Sequence, residues 1–263
     1  MSGDRRPAVA GMFYPGDPGE LATAVDEVLA DAAAPTGRPK ALIAPHAGYP
    51  FSGPVAASAY AELAGRQDEI RRVVLLGPAH RVPLRGIALP TADRFLTPLG
   101  PVPVDTELRA ELAELPTVVL DDRPHAPDTR SGSILPFLQR NAGQADVDAA
   151  SHRWWATPAP TKWPTVLERV WWPRDAGGRE LRSEPLPPLR RGTRGRTGEL
   201  PRPSWPATPP SARSTACGAH PVAGLLEVAR RHDLGVELLD LRSSGDTAGP
   251  RDRVVGYGSF ALS

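Results

Sequence analysis

The chain has 263 residues, a formal net charge of +1 and 40% apolar residues, values typical of a globular protein with one large domain or two small ones. The nearly balanced charge gives no electrostatic argument for nucleic acid. The single cysteine, Cys217, excludes an intrachain disulfide. No apolar run approaches the roughly 20 residues of a membrane span, and residues 1–10 lack the apolar stretch of a signal peptide. We therefore expect a cytoplasmic protein that does not enter a membrane.

The first 120 residues alternate between helix and strand patterns. A helix begins at Asp17, with Pro18 tolerated in its first turn. Short apolar runs predict buried strands at 40–44 and 71–76, with a helix of small residues at 52–63 between them. This order of strand, helix and strand predicts a parallel βαβ unit. Further along, the sequence predicts a strand at 86–89, a helix at 105–115 and a strand at 117–120.

The C-terminal part is equally regular, whereas the middle of the chain is not. A helix is predicted at 220–232, followed by strands at 236–241 and 253–260. From about 127 to 215 the periodicity disappears, and only 165–170 has a helical pattern. An irregular stretch of this length is unusual inside a compact domain. The same stretch is rich in proline and contains all six tryptophans: Trp154, Trp155, Trp163, Trp171, Trp172 and Trp205.

Two histidines occupy equivalent places after the two buried strands. His46 follows the strand at 40–44 and His80 follows the strand at 71–76, each in a turn that contains proline. In a parallel sheet, the loops at the carboxyl ends of the strands line the ligand crevice. Neutral imidazoles are good ligands for iron, copper, zinc or nickel. The sequence therefore predicts that His46 and His80 belong to one pocket, a candidate metal site.

Cys217 is the third candidate ligand. It precedes the predicted helix at 220–232, and a helix N-terminus favours the thiolate form that binds metal. With His46 and His80 it would make an open site of two imidazoles and one thiolate. The spacing contains no local metal motif such as HExxH, so simpler readings stay open. A loop histidine is often only a polar turn residue, and an isolated cysteine is often a small buried apolar residue.

The other candidates have weaker patterns. His125 is a candidate general acid or base, with a solvated loop position as the alternative. Asp246 either lies in the pocket or caps a turn, as Asp beside Ser and Gly commonly does. His220 either binds near Cys217 or only starts its helix. The remaining two histidines, His152 and His232, are expected at the surface.

Basic and aromatic residues are mixed at 153–213, which superficially matches surfaces that bind single-stranded nucleic acid. Nothing else in the sequence supports that interpretation. We therefore expect no nucleic-acid partner.

Several separated motifs resemble the Memo-like family. They are RPAVAGMFYP at 6–15, PHAGYPFSG at 45–53, LLGPAH at 75–80, LTPLG at 96–100 with Asp105, LPFLQ at 135–139, ACG at 216–218, and the C-terminal SGDTAG and VVGYGSFA. They occur in the order of the family and cover roughly residues 5–126, 135–139 and 216–263.

The resemblance implies one domain over residues 1–263, an α/β fold with a central mixed sheet flanked by helices, similar to class III extradiol ring-cleaving dioxygenases. The family's pocket is lined by two histidines and a cysteine, which correspond here to His46, His80 and Cys217, and members are linked to iron or copper. In many bacteria the family, also described as AmmeMemoRadiSam system protein B, is associated with a radical-SAM protein and a third protein. These are the partners that the resemblance implies, and the oligomeric state stays open.

The chain also departs from the family pattern. After a histidine like His125 the family continues with a sequence like EHSLEVQLPFLQ, where this chain reads APDTRSGSILPFLQ. A later core strand with a motif like VVVSSDLSHY, which brings a further Asp and His to the pocket, is missing. Permitted codons for 175–192, read one base later, give TLVVVSSDLSHYLRYDE. Codons for 151–165, read two bases later, give PPVVGDARPDEVAD. We therefore predict compensating frameshifts across about 128–213, with 143–215 aberrant and poorly ordered.

Three functions are compatible with the sequence. The first is a metal-dependent, dioxygenase-like oxidoreductase, with His46, His80 and Cys217 as ligands and His125 as acid or base. Extradiol iron sites use two histidines and a carboxylate, so a cysteine in that place argues against ordinary ring cleavage. The second is a non-catalytic scaffold module that binds a metal or a peptide. The third is a defective frameshifted product without activity.

Overall fold

The computed structural model describes residues 3–80, 82, 84, 86–125, 131–142, 146–152, 162–171 and 217–263. Their helices are α1 (Pro18–Ala30), α2 (Tyr49–Tyr60), α3 (Thr106–Ala113), α4 (Ser131–Asn141), α5 (Lys162–Trp171) and α6 (Ala219–Arg231). Their strands are β1 (Asp4–Arg5), β2 (Ala41–Ile43), β3 (Arg72–Pro78), β4 (Ile87–Leu89), β5 (Arg94–Thr97), β6 (Gly100–Pro103), β7 (Val118–Leu120), β8 (Asp146–His152), β9 (Val236–Ser243) and β10 (Gly256–Leu262). None of these helices has the length and apolar character that crossing a bilayer requires.

The described strands form three sheets, where a single central sheet was expected. Their strand orders are β1-β5-β6, β2-β10-β9 and β3-β8-β4-β7. Parallel and antiparallel pairs both occur: β3 runs parallel to β8, and β10 runs antiparallel to β2 and β9. With helices packed on these sheets, the mixed α/β class is confirmed. The closer similarity to extradiol dioxygenases stays a prediction.

The predicted parallel βαβ unit of β2, α2 and β3 is wrong for the described part of the chain. β2 pairs antiparallel with β10, with Ala41 opposite Leu262 and Ile43 opposite Phe260. β3 pairs parallel with β8 instead. The sequence could not reveal this arrangement, because β10 is the last strand of the chain and a pairing between distant segments leaves no local pattern.

α1 begins where the sequence predicts. Asp17 accepts hydrogen bonds from the backbone N–H groups of Gly19 and Glu20 at 2.8 and 3.0 Å, a cap that typically contributes about 1 kcal/mol. Leu21 and Val25 then face the core and are fully buried. The helix packs against α2 and α4, and the three helices line the largest hydrophobic cluster among the described residues.

Four aromatic rings fill the centre of that core. Phe137 of α4 stacks on Tyr60, with ring centroids 5.1 Å apart and planes 13° apart. It also contacts Tyr49, at 5.0 Å between centroids, and Tyr49 in turn contacts Tyr14 at 5.5 Å. Burial raises the pKa of all three tyrosines, that of Tyr14 to about 12. These phenols therefore stay protonated at physiological pH.

The helix predicted at 165–170 is confirmed by α5, which packs against α6. Trp163, Val166 and Leu167 of α5 are buried. Trp163 lies directly against Gly224 of α6, where an added Cβ would overlap with the Trp163 Cβ. The two helices approach so closely here because Gly224 has no side chain.

Only β8 and α5 are described within the segment 143–215. β8 was not predicted, because this strand is held by its pairing with all seven residues of β3, from Arg72 to Pro78, and the sequence does not show that pairing. α4 was also not predicted, because Gly132 and Pro136 disfavour a helix locally. The other residues of 143–215, and with them the predicted disorder, lie outside the described residues, and the frameshift stays a prediction.

Replacing Gly224 with alanine is expected to destabilise the protein through its contact with Trp163. Overpacking typically costs about 1–3 kcal/mol, opposed by about 1 kcal/mol of improved helix propensity. The free energy of unfolding in urea measures the difference. The matched control is Gly53→Ala in α2, whose new Cβ would make an ordinary contact of 3.5 Å with Tyr49 and should leave stability unchanged or slightly higher. Equal stability of both variants would contradict the packing of α5 on α6.

Candidate metal centre

His46 and His80 come together although their strands belong to different sheets. His46 lies three residues after β2, and His80 lies two residues after β3. Their imidazole rings are 5.5 Å apart between centroids, with planes inclined by 56°. The prediction that the two histidines share one site therefore agrees with the structure, although the sheet arrangement that motivated it does not.

Cys217 completes the group from the far end of the chain. It stands immediately before α6, at a turn where Gly218 has a φ of 81°, a left-handed conformation that glycine adopts without strain. The Cys217 Sγ lies 2.9 Å from the His80 Nε2. One ligand atom from each of His46, His80 and Cys217 lies within 4.8 Å of the others.

The two imidazoles change the acidity of the thiol. Burial alone would raise the pKa of Cys217, but hydrogen bonds and charge interactions with His46 and His80 outweigh this effect and lower the pKa to about 6. The residue as a whole remains exposed. At neutral pH the sulfur is therefore mainly a thiolate, which is the form that binds metal.

The loop that carries His46 is held on both sides. The backbone N–H of Tyr49 donates to the Phe13 carbonyl at 2.8 Å, and the Tyr49 hydroxyl donates to the Ser133 carbonyl at 2.8 Å. The Ser133 hydroxyl donates to the His46 carbonyl at 3.3 Å. Gly48 lies close to Phe13, with 3.6 Å between an added Cβ and the Phe13 carbonyl oxygen. The N-terminal segment and α4 thus fix the backbone of the His46 loop.

Sequence reasoning missed these supporting residues. Tyr49 lies inside the motif PHAGYPFSG, but nothing local indicates that its hydroxyl reaches α4. Ser133 lies in a stretch whose helix was not predicted. Only the candidate ligands, which are recognisable from side-chain chemistry, could be proposed from the sequence.

His125 is placed differently from the three grouped residues. Its side chain is 1% exposed, and its Nε2 lies 3.2 Å from the Ala88 carbonyl oxygen. Arg5 donates to the His125 carbonyl. His125 is not a member of the group formed by His46, His80 and Cys217. These contacts make His125 a buried part of the fold. Its role as a general acid or base stays a prediction.

The remaining candidates lie in a turn, in or next to α6, and at the end of β8. Asp246 accepts hydrogen bonds from the Ser243 backbone N–H at 2.8 Å and from the Ser243 hydroxyl at 2.7 Å, which is the turn-capping alternative. His220 is in the first turn of α6, and burial lowers its pKa. His232 ends the same helix. His152 is the last residue of β8, and its side chain lies outside the described part of the chain.

The donor set fits one metal ion. Two imidazole nitrogens and one thiolate sulfur suit iron, copper and zinc, and all three atoms are near enough to reach a common ion by small side-chain movements. Three protein ligands leave at least one coordination position open for another molecule. The three residues could therefore both hold a metal ion and leave it open to a reacting molecule.

The fold and the site together define an α/β protein with a candidate His/His/Cys metal centre. Residues 5–147, more than half of the chain, match the family described as Memo-like protein. The chain belongs to the Memo-like family.

Similar proteins occur in bacteria, archaea and animals. A MEMO1 family protein of Aquifex aeolicus is 39% identical over 139 residues, covering 52% of this chain and 50% of that protein. A MEMO1 family protein of Sulfolobus acidocaldarius is 28% identical over 280 aligned positions, covering 96% of this chain and 97% of the relative. The Protein memo-1 homolog of Caenorhabditis elegans is 34% identical over 135 residues, 51% of this chain and 38% of that protein. For the relatives that are 38% and 39% identical, the match spans about half the length of the curated protein.

Alkylation of Cys217 by iodoacetamide in metal-free protein should accelerate as pH rises through about 6, because the thiolate is the reacting form. Cys217 is the single cysteine, so the rate reports this thiol alone. The His80→Ala variant should move the midpoint towards the ordinary value of about 8.5. A midpoint near that ordinary value in the unaltered protein would contradict the interaction with the two histidines.

Proposed function

We propose that this Memo-like protein binds one redox-active metal ion, iron or copper, through His46, His80 and Cys217, and that it acts as a metal-dependent oxidoreductase. The observation that carries the proposal is the convergence of three ligand atoms within 4.8 Å from residues widely separated in the chain. Such a group is uncommon without a role, because two half-buried imidazoles and an exposed thiol bring little packing energy to the fold.

The residues at this site have different roles. His46 and His80 provide neutral nitrogen ligands, while Cys217 provides a negative sulfur ligand that reduces the net charge of the ion. A bound iron or copper ion would supply electron transfer and oxygen chemistry at its open position. The bonds from Tyr49 and Ser133 hold the His46 backbone in place, so that the site keeps its geometry when a substrate arrives.

The thiolate distinguishes this site from an extradiol iron centre, where a carboxylate accompanies two histidines. We therefore do not extend ordinary aromatic ring cleavage to this chain. Partnership with a radical-SAM protein and a third protein follows from the family resemblance alone, and a cytoplasmic location is part of the same proposal.

Purified protein should bind one iron or copper ion per chain in equilibrium dialysis under anaerobic conditions. His46→Ala and Cys217→Ala should each weaken binding by more than the roughly 10- to 100-fold seen when residues behind metal ligands are changed. His232→Ala, a histidine at the end of α6, is the control and should bind like the unaltered protein. Equal binding by all four proteins would refute the site.

Oxygen uptake separates the enzyme from a non-catalytic module. The metal-loaded protein should consume oxygen with catechol-like reductants, and His46→Ala should abolish this uptake. The Cys217→Asp variant supplies the two-histidine, one-carboxylate set of extradiol sites and shows whether the thiolate is required. Metal binding without uptake from any substrate tested would favour the alternative, a scaffold module that holds a metal or a peptide.

A defective product is the third candidate, and one observation favours it. The family match ends at residue 147, close to the start of the aberrant segment 143–215, where the tryptophans cluster. We propose that this segment is written in another reading frame. The nucleotide sequence of codons 125–217 tests this directly: three compensating insertions or deletions are expected, because two different shifted frames lie between the two regular parts, and an unbroken frame encoding a protease-resistant protein would refute it.

A further inference from the structure

The outer edge of β9 has an unusual surface. β9 is the terminal strand of the order β2-β10-β9, so no described strand pairs with its outer side. Val236, Leu238 and Leu241 of this strand are 42%, 52% and 66% exposed. An exposed apolar edge strand favours pairing with another strand, because its backbone N–H and C=O groups are available along one side.

A bulge in β9 decides which side chains share a face. Asp240 pairs with Ser259 and Leu238 pairs with Phe260, so Leu239 is an additional residue in β9. Paired residues of neighbouring strands share a face of the sheet. One face therefore carries the apolar residues Val236, Leu238 and Leu241, and the opposite face carries the charged residues Glu237, Asp240 and Arg242.

The contacts with α2 agree with this assignment of faces. Ser58 of α2 donates a hydrogen bond to Asp240 at 3.1 Å, so the charged face is the one towards α2. On the same face, Arg242 is paired with Asp240 at 2.9 Å. The apolar face continues into β10, where Leu262 is buried in a cluster with Leu225 of α6. The exposed apolar residues thus extend an existing core beyond the part that α6 covers.

β9 is complementary to itself when two copies align antiparallel over its full length. The strand runs from 236 to 243, so Glu237 lies opposite Arg242 of the second copy and Leu238 lies opposite its Leu241. Because the two copies are related by a two-fold axis, each of these pairs occurs twice in the dimer. In a regular strand Glu237 and Arg242 would face opposite sides, because an odd number of steps separates them. The bulge places them on one side.

We infer that β9 pairs with the β9 of a second copy of this chain and forms an antiparallel two-fold dimer. Charges on an edge strand usually discourage pairing. In β9 the negative Glu237 and the positive Arg242 lie on opposite sides of the strand centre. The full-length antiparallel register therefore brings opposite charges together. A shifted register that placed Glu237 opposite Asp240 would bring two carboxylates together and is disfavoured.

Charge reversal tests this dimer with the full chain in sedimentation velocity. The unaltered protein should dimerise reversibly as concentration rises. Glu237→Arg and Arg242→Glu should each raise the dimer Kd by at least about tenfold, since each change creates two like-charged contacts. The double variant, with both charges exchanged, should recover most of the affinity. An equimolar mixture of the two single variants should form a heterodimer, because every contact in it joins opposite charges.

The equimolar mixture of the two single variants is also a control for misfolding, because a misfolded variant would not associate with the other. Glu114→Arg, an exposed residue at the end of α3, is the charge-matched control and should leave dimerisation unchanged. A monomer at concentrations up to roughly 100 μM would overturn the inference. A dimer with the same Kd in both single variants would do so too, as would single variants that do not associate with each other.

Discussion

The contact of Tyr49 with its aromatic neighbours links the core to the candidate site. Tyr49 is the first residue of α2 and comes three positions after His46. Its ring packs between Tyr14 and Phe137, and its hydroxyl donates to the Ser133 carbonyl in α4. Because the ring and the hydroxyl are both fixed, the short loop before it has little freedom. The position of His46 therefore depends on packing in the hydrophobic cluster that α1, α2 and α4 line.

His80 and Cys217 are positioned by other elements of the fold. His80 follows β3, whose neighbour in the sheet is β8, and Cys217 precedes α6, which packs against α5 and β3. The three candidate ligands thus follow β2, follow β3 and precede α6. A metal ion bound to all three would join these elements, and its binding energy would add to the stability of the folded state.

The sequence predicted those features that leave a local trace. β2 and β3 were recognised because each is a continuous apolar run, and α1 because Asp17 precedes an apolar stripe. β8 and the pairing of β2 with β10 were missed, since both depend on contacts between distant segments. His46 and His80 were found from their positions after strands. Cys217 was a candidate from its place before a helix, and the resemblance to the Memo-like family implies the same role, whereas a lone cysteine by itself has no distinctive pattern.

The central claim is that one metal ion is held by both histidines and by the thiolate. X-ray absorption spectroscopy at the edge of the bound metal measures the ligands directly, without an assay for an unknown substrate. We predict one sulfur scatterer at about 2.3 Å and two imidazole nitrogens at about 2.0–2.1 Å, by analogy with zinc–thiolate and zinc–histidine distances. A metal surrounded by oxygen and nitrogen alone, with no sulfur, would contradict the account.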